Sequence, residues 1–406
     1  MQKLLKPFLL YTVALGGLSS ASASANTNDE LSAELSTLPQ AVYLMTNESP
    51  VNSMIVYHTR TDGSLALSQR LKTGGAGVGN NDDNLFDEVP LIDPMGSQNS
   101  VILSEDKNSL YAVNPGSGDI SVFHVNEKGG LQLIQVVDSL GEFPVSLTTD
   151  GELVYVLNAG GSGSIAGYTI GEKGDLTYLP NSARKLGLNN PVFPNAAEVP
   201  LTPGQVSFDN DERRLIITNG GGQELLTYSV LNNGTPSYYA TSSPTAGIIP
   251  FDFIISDNGA LVVAEVAPDL TGFISSYEIS DLNLRNVTSA LPTNGVASCW
   301  IVSNGDRFAY MINTGSSTIS TYEMARNGQL SLVKEVSADL NGSFPIDATM
   351  TPDGRSMFVI NSQGGSISHF DVDPTNGTLT LRGKSAPLNL TDEKGNQVVP
   401  QGIAVR

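Results

Sequence analysis

Carboxylates carry most of the reactive chemistry available to this chain. Its 406 residues include 41 Asp and Glu but only three His and one Cys, so acid/base work near neutral pH falls to carboxyl groups with shifted pKa values. Four of them stand at distinctive positions. Glu265 closes the apolar run Leu261-Val-Val-Ala-Glu265, where comparable runs elsewhere close on Asn. Glu142 precedes Phe143-Pro144, and Asp252 and Asp347 lie two residues after Pro250 and Pro345. Arg184 and Lys185 form a pair of cations in a chain that has few, and such groups hold carboxylates or stabilise oxyanions. Gln98, Gln205 and Gln401 occupy similar short segments and offer an uncharged polar ring around water. Cys299 beside Trp300 reads as a buried hydrophobe, since no neighbouring His would generate a thiolate. The acidic stretch Gly79-Asn-Asn-Asp-Asp-Asn-Leu-Phe-Asp-Glu88 has oxygen donors suited to Ca²⁺ but not the spacing of an EF-hand loop, so no metal is expected. No phosphate-binding loop, dinucleotide fingerprint or nucleophile elbow occurs in its required context, and no cofactor is expected.

The elements that must position these groups recur along the chain. The phrase is an apolar run ending in Asn, a Gly/Ser turn, an alternating strand, a second turn and a third strand. It is clearest at Leu110-Tyr-Ala-Val-Asn114, Val154-Tyr-Val-Leu-Asn158, Phe308-Ala-Tyr-Met-Ile-Asn313 and Met357-Phe-Val-Ile-Asn361, with looser copies ending at Asn47, Asn219 and Glu265. A further strand, closed by turns such as Asp150-Gly151 and Asp353-Gly354, precedes most copies. Four short strands per unit, seven times over, predict an all-β, seven-bladed β-propeller. The first unit lacks its innermost strand, and Pro400-Gln-Gly-Ile-Ala-Val-Arg406 matches it, so the C-terminus is expected to complete the first blade and leave no open edge. An open array or a sandwich is the alternative. The loops at about 72–97 and 181–203 are longer than the rest and are expected to decorate one face.

Composition narrows the function. A formal charge of -20 with no basic cluster excludes nucleic acid as a partner, and a single Cys excludes disulfide scaffolds and Cys-based zinc sites. Residues 1–25 have the layout of a secretory signal: Lys3 and Lys6, an apolar stretch from Pro7 to Leu18, then Ala23-Ser24-Ala25. Residues 26–40 are expected to form a flexible leader and 41–406 a single propeller domain, exported to the periplasm or the extracellular space, monomeric, without a membrane span.

The phrase Pro, then Ser/Thr-Pro-Asp-Gly, then Leu-Tyr-x-x-Asn and Ile-Ser-x-Tyr resembles the lactonase-type seven-bladed propellers, which include propeller 6-phosphogluconolactonases and carboxymuconate cyclases. The stretches Thr73-Gly-Gly-Ala-Gly, Asp93-Pro-Met-Gly-Ser-Gln98, Gly141-Glu-Phe-Pro-Val-Ser146 and Cys299-Trp300 resemble an exported branch of that family. The resemblance implies a lactone hydrolase or cycloisomerase acting on a small polar substrate at the channel mouth. One departure is specific. Where family enzymes place a His after the Pro of an innermost strand, this chain has Val145, Gly204, Phe251, Ile346 and Gln401. Its own His58, His124 and His369 fall in third-strand phrases beside aromatic residues and are expected to be structural. With the His missing, Glu265 or Glu142 is the expected acid/base and Arg184 the anion-holding group, with Gln205, Asp252, Asp347, Gln98 and Gln401 binding ligand. The alternative is a non-catalytic propeller that binds a small molecule or a protein on the same face.

Overall fold

The computed structural model describes residues 39–79, 93–188 and 202–406. The proposed signal and nearly all of the leader, the acidic stretch from residue 80 onward, and much of the 181–203 loop lie outside the described residues. Strands pair into seven antiparallel sheets, each built on a four-strand path in the order innermost to outermost. The innermost strands are Ile403–Val405, Val101–Leu103, Pro144–Thr149, Pro203–Phe208, Ile249–Ile255, Ser298–Ser303 and Pro345–Met350, for blades 1 to 7. Blade 1 is closed by the C-terminus, as its sequence requires: Val42, Tyr43 and Leu44 pair with Val405, Ala404 and Ile403. That closure removes the unpaired edge an open ring would expose. No helix among the described residues is long and apolar enough to cross a membrane.

Much of the repeated phrase is explained by the partners its recurring residues find. Second strands such as Leu153–Asn158 and Ser356–Asn361 are buried on both sides, which explains their continuous apolar runs. Their Tyr residues reach into the next blade. The Tyr111 hydroxyl donates to the Gly174 carbonyl (3.1 Å) and the Tyr155 hydroxyl to the Gly234 carbonyl (2.6 Å). Gly174 and Gly234 have φ of +81° and +80°, a turn conformation that a side chain would strain. Closing Asn residues bind inside their own blade through Nδ2: Asn313 Nδ2 donates to Thr318 (3.1 Å) and Ser320 (2.8 Å), and Asn361 Nδ2 to Ser366 and Ser368 (3.0 Å each), while Asn114 Oδ1 also accepts from Asn52 and Thr73 of the preceding blade. They tie the second strand to the third across the turn.

Blades stack through buried side chains, including Trp300, Phe358 and the Tyr residues at positions 43, 111, 155 and 310. The innermost strands carry β-bulges just after their opening residues, between Pro144 and Ser146, Pro203 and Val206, Pro250 and Phe253, Ser298 and Trp300, and Ile346 and Ala348. A bulge turns its extra side chain away from the regular ladder. The bulged positions include Gln205, Asp252, Cys299 and Asp347.

Candidate functional site

Two of the candidate carboxylates sit at these bulges and reach across to the neighbouring blade. Asp252 Oδ2 accepts the Ile301 backbone N–H at 2.8 Å, joining blade 5 to blade 6. Asp347 Oδ2 accepts the Gly402 N–H at 2.9 Å, joining blade 7 to the closing strand of blade 1. Both are almost completely buried. Asp347 also has φ of +42°, an uncommon backbone state that Asp tolerates better than most residues.

A third carboxyl joins them from outside the repeat. Asp93 opens a segment, 93–98, that runs into the channel and is pinned from several blades. Gln401 Oε1 accepts the Met95 N–H (3.2 Å), and Gln401 Nε2 donates to the Ser97 carbonyl (3.1 Å). Trp300 Nε1 donates to the same carbonyl at 3.1 Å, and the Gln98 N–H donates to the Gly204 carbonyl at 3.2 Å. This strap therefore touches blades 1, 6 and 4. Gln98 Nε2 lies 3.4 Å from the Ala348 carbonyl, beside Asp347. Phe251 and Trp300 pack edge to face, centroids 5.0 Å apart, beneath it.

Burial sets the electrostatics. It raises Asp93 to about 6, against the N–H groups of Gly96 and Met95 and the Gln401 side chain, which favour the ionised form. Burial raises Asp347 to about 8 despite its backbone hydrogen bonds, with the negative charge of Asp93 adding to the effect. Burial lifts Asp252 well above the usual carboxylate range, helped by Asp347. The Cys299 thiol, partly exposed, is pushed up by burial and by the charges of Asp93 and Asp252. Three carboxyls with separated affinities for protons, linked by charge from Asp93 to Asp347 and from Asp347 to Asp252, are the raw material for acid/base chemistry. Several oxygens there have no hydrogen-bond partner although buried: Ser97 Oγ, Gln98 Oε1, Ser100 Oγ and Asp252 Oδ1. Buried polar atoms are ordinarily paired, so these four stand out as unpaired oxygens in the core. Among the described residues no group of three or more His, Cys, Asp or Glu is placed to hold a metal ion.

The other expected site residues lie elsewhere. Glu265 is fully buried within its blade, where its carboxylate accepts from the Ser275 hydroxyl and, at 3.2 Å, from the Tyr277 hydroxyl. The Gly247 backbone N–H also binds it, and burial raises its pKa. It closes blade 5 as Asn313 and Asn361 close theirs, accepting from neighbouring hydroxyls where those amides donate to them. Gln205 is likewise committed, its amide bonded at both ends to the Phe253 backbone of blade 5 (2.6 and 2.9 Å). Gln205 and Gln401 thus bind peptide with both ends of their amides, while Gln98 does so only through its Nε2.

Arg184 does not reach across the channel. It lies on the short outer strand Arg184–Lys185, and its guanidinium is spent on the carbonyls of Asn181, Ala183 and Ser237 (2.8 Å each) and of Pro236. Arg184 and the exposed Glu142 do line one surface hollow of about 400 Å³ over blade 3, apart from Glu265 and Gln205. His58 Nε2 lies 2.8 Å from the Lys128 carbonyl, and His369 stacks on Phe358 with its Nδ1 2.9 Å from the Gly63 carbonyl, whereas His124 is exposed and lines a surface hollow of about 920 Å³. Sequence reasoning missed Asp93 because no repeat places it. Its only signal was the stretch Asp93-Pro-Met-Gly-Ser-Gln98, which stands outside the blade pattern.

Comparison with known proteins points the same way as the fold. The family described as "Lactonase, 7-bladed beta-propeller" matches residues 40–192 and 80–391. The 6-phosphogluconolactonase of Bacillus subtilis is 24% identical over 72% of this chain and 85% of its own length. That of Photorhabdus laumondii is 25% identical over 74% and 85%. Among solved structures, a periplasmic gluconolactonase from Pseudomonas aeruginosa superposes with a TM-score of 0.64 at 18% identity, covering 91% of this chain and 99% of that one.

Proposed function

The chain belongs to the seven-bladed β-propeller lactonase family, and on that premise we propose that it is an exported hydrolase of small, uncharged lactones working in the central channel. The convergence of Asp93, Asp252 and Asp347 there, each with a raised pKa, carries the reading. In this mechanism Asp93, ionised near neutral pH, takes a proton from water as the water oxygen adds to the lactone carbonyl. Asp252, neutral through burial and with Oδ1 free of partners, donates a hydrogen bond to the developing oxyanion. The tetrahedral intermediate collapses by breaking the ring C–O bond, and protonated Asp347 gives its proton to the leaving oxygen. The product is the open-chain hydroxy acid, and solvent restores the two protonation states.

The substrate class follows from charge. No Lys or Arg is among the buried residues, and the segments 80–92 and 189–201 contain none in their sequence. A phosphorylated lactone would meet acidic groups and no cation to hold its phosphate. This separates the proposed substrate from the phosphorylated one named for the curated relatives and agrees with the gluconolactonase named for the Pseudomonas structure. Export rests on the signal-like residues 1–25.

The test is a panel of neutral and phosphorylated lactones against wild type and Asp93→Asn. Turnover of a neutral lactone, lost in the variant, supports the proposal. Preference for a phosphorylated lactone, or undiminished turnover in Asp93→Asn, defeats it. A second reading, a non-catalytic binder of a small molecule, is favoured by the use of Asp252 and Asp347 as ties between blades. It predicts saturable ligand binding with no product.

A further inference from the structure

We propose that Asn341-Gly342 is a site of spontaneous covalent modification in the folded protein, deamidating to isoaspartate and thereby loosening the turn that leads into the Pro345–Met350 strand. The chain holds eight Asn-Gly pairs, the dipeptide most open to this chemistry because glycine has no side chain to shield its nitrogen. The fold ties down seven of them. After Asn233, Asn258, Asn327 and Asn376 the Gly N–H donates to a main-chain carbonyl at 2.8 Å, and after Asn294 the Gly295 N–H donates to Thr293 Oγ1 at 3.2 Å. Asn219 is buried, and the Phe308 N–H holds Asn304 Oδ1 at 2.8 Å.

The eighth pair is free. Asn341 and Gly342 lie in the 340–344 turn between blades 6 and 7, and both are exposed. Among the described residues no carbonyl or side chain accepts the Gly342 N–H, and no heavy atom lies within 4 Å of where a Cβ on Gly342 would stand. Asn341 Nδ2 reaches only the Asp339 carbonyl, at 3.5 Å. Nucleophile and electrophile thus sit unencumbered on adjacent residues. Hydroxide removes the Gly342 amide proton, the nitrogen attacks Asn341 Cγ, and the Cγ–Nδ2 bond breaks to release ammonia and leave a five-membered succinimide. Water then opens either carbonyl of that ring, giving Asp or an isoaspartyl residue whose main chain runs through Cγ. The isoaspartyl form adds one methylene to a turn fixed at both ends to Ser317. The Leu340 N–H donates to the Ser317 carbonyl at 2.8 Å, and the Phe344 N–H to its hydroxyl at 3.1 Å. Pro345 follows directly, so the added length falls at the entry of the strand that carries Asp347.

The experiment ages native wild-type protein in warm, mildly alkaline buffer and maps its peptides by mass spectrometry, with isoaspartate scored by methyl transfer from a protein-isoaspartate methyltransferase. Asn341 is expected to convert at least tenfold faster than each of the other seven pairs. In guanidinium chloride, where the fold protects none of them, all eight should convert at rates within a few-fold of one another. Native conversion at Asn341 no faster than at the other pairs, or a faster rate at any of them, overturns the site. So does an Asn341 advantage that persists unchanged in guanidinium chloride, because local sequence and not the fold would then select it. The isoaspartyl fraction, resolved by anion exchange, should melt about 2 °C below fresh protein through the weakened hold on Ser317. Asn341→Asp, which has the new charge on an ordinary main chain, should melt with wild type. An equal fall in Asn341→Asp, or no fall in the isoaspartyl fraction, overturns the loosened turn. The rate comparison is made within the wild-type chain and stands even if the variant fails to fold.

Discussion

Replacing Asp347 by Asn should stabilise the protein at neutral pH while removing its activity. Asp347 rises from 3.8 to about 8 on folding, chiefly through burial. Because the folded value lies above the unfolded one, the protonated acid favours the fold at low pH, and stability is lost as pH climbs from about 4 toward 8. At ~1.36 kcal/mol for each pH unit between the unfolded pKa and the solution pH, this one carboxyl costs about 4 kcal/mol at pH 7. Asparagine keeps an oxygen for the Gly402 N–H that Asp347 now accepts at 2.9 Å, and it suits the positive φ of +42°. Its buried NH₂ lacks an assured partner and costs about 1–2 kcal/mol. The net gain is about 2–3 kcal/mol at pH 7, or about 3 °C in Tm for a domain of this size. At pH 4.5 the carboxyl penalty shrinks to about 1 kcal/mol, so the variant should be no more stable than wild type, or slightly less. Thermal unfolding of both proteins from pH 4.5 to 8 measures the crossing. A constant Tm difference across that range would refute the assignment of Asp347 as a buried acid that titrates late. Lactone turnover should fall at least 100-fold, because the amide has no proton to give the leaving oxygen.

The pH profile of lactone turnover should be bell-shaped, rising through about 6 as Asp93 ionises and falling through about 8 as Asp347 loses its proton; in Asp93→Asn no acid limb should remain above background. Deleting residues 400–406 removes the strand paired with Val42, Tyr43 and Leu44 together with Gln401, which pins the strap. Light scattering should show aggregation and calorimetry a drop in Tm of more than 10 °C, whereas a wild-type melt would rule out closure by this strand. Glu265→Ala should cost about 2–4 kcal/mol by stranding the Ser275 and Tyr277 hydroxyls, with kcat and KM of surviving protein within twofold of wild type. Arg184→Ala should lower stability by about 1–2 kcal/mol in urea unfolding through loss of its bonds to the 236–237 carbonyls, and should leave lactone turnover untouched.

The architecture was legible in the residue order because a propeller is written in local terms. Each blade needs an apolar second strand, a turn at a set distance and a polar residue to close the strand, Asn in six blades and Glu265 in the other, and the pattern recurs seven times within short windows. Even the closing partner of Ala41–Met45 could be read from the far end of the chain, since Pro400–Arg406 carries the pattern of the missing strand. Which side chains share a space is a different kind of fact. Glu265 stood out as a carboxylate among amides, yet whether it faced a ligand depended on Ser275 and Tyr277 meeting it across the strand pair. Arg184 looked free because the carbonyls that occupy it belong to residues 236 and 237, some fifty positions away. Asp93 obeys no repeat, and only the folded ring brings it into the company of Asp252 and Asp347, from chain segments more than 90 residues apart. Periodicity determined the blades because strand pairing between neighbours is local; desolvation and hydrogen-bond pairing in the channel are set by distances between remote segments, and those only the closed ring decides.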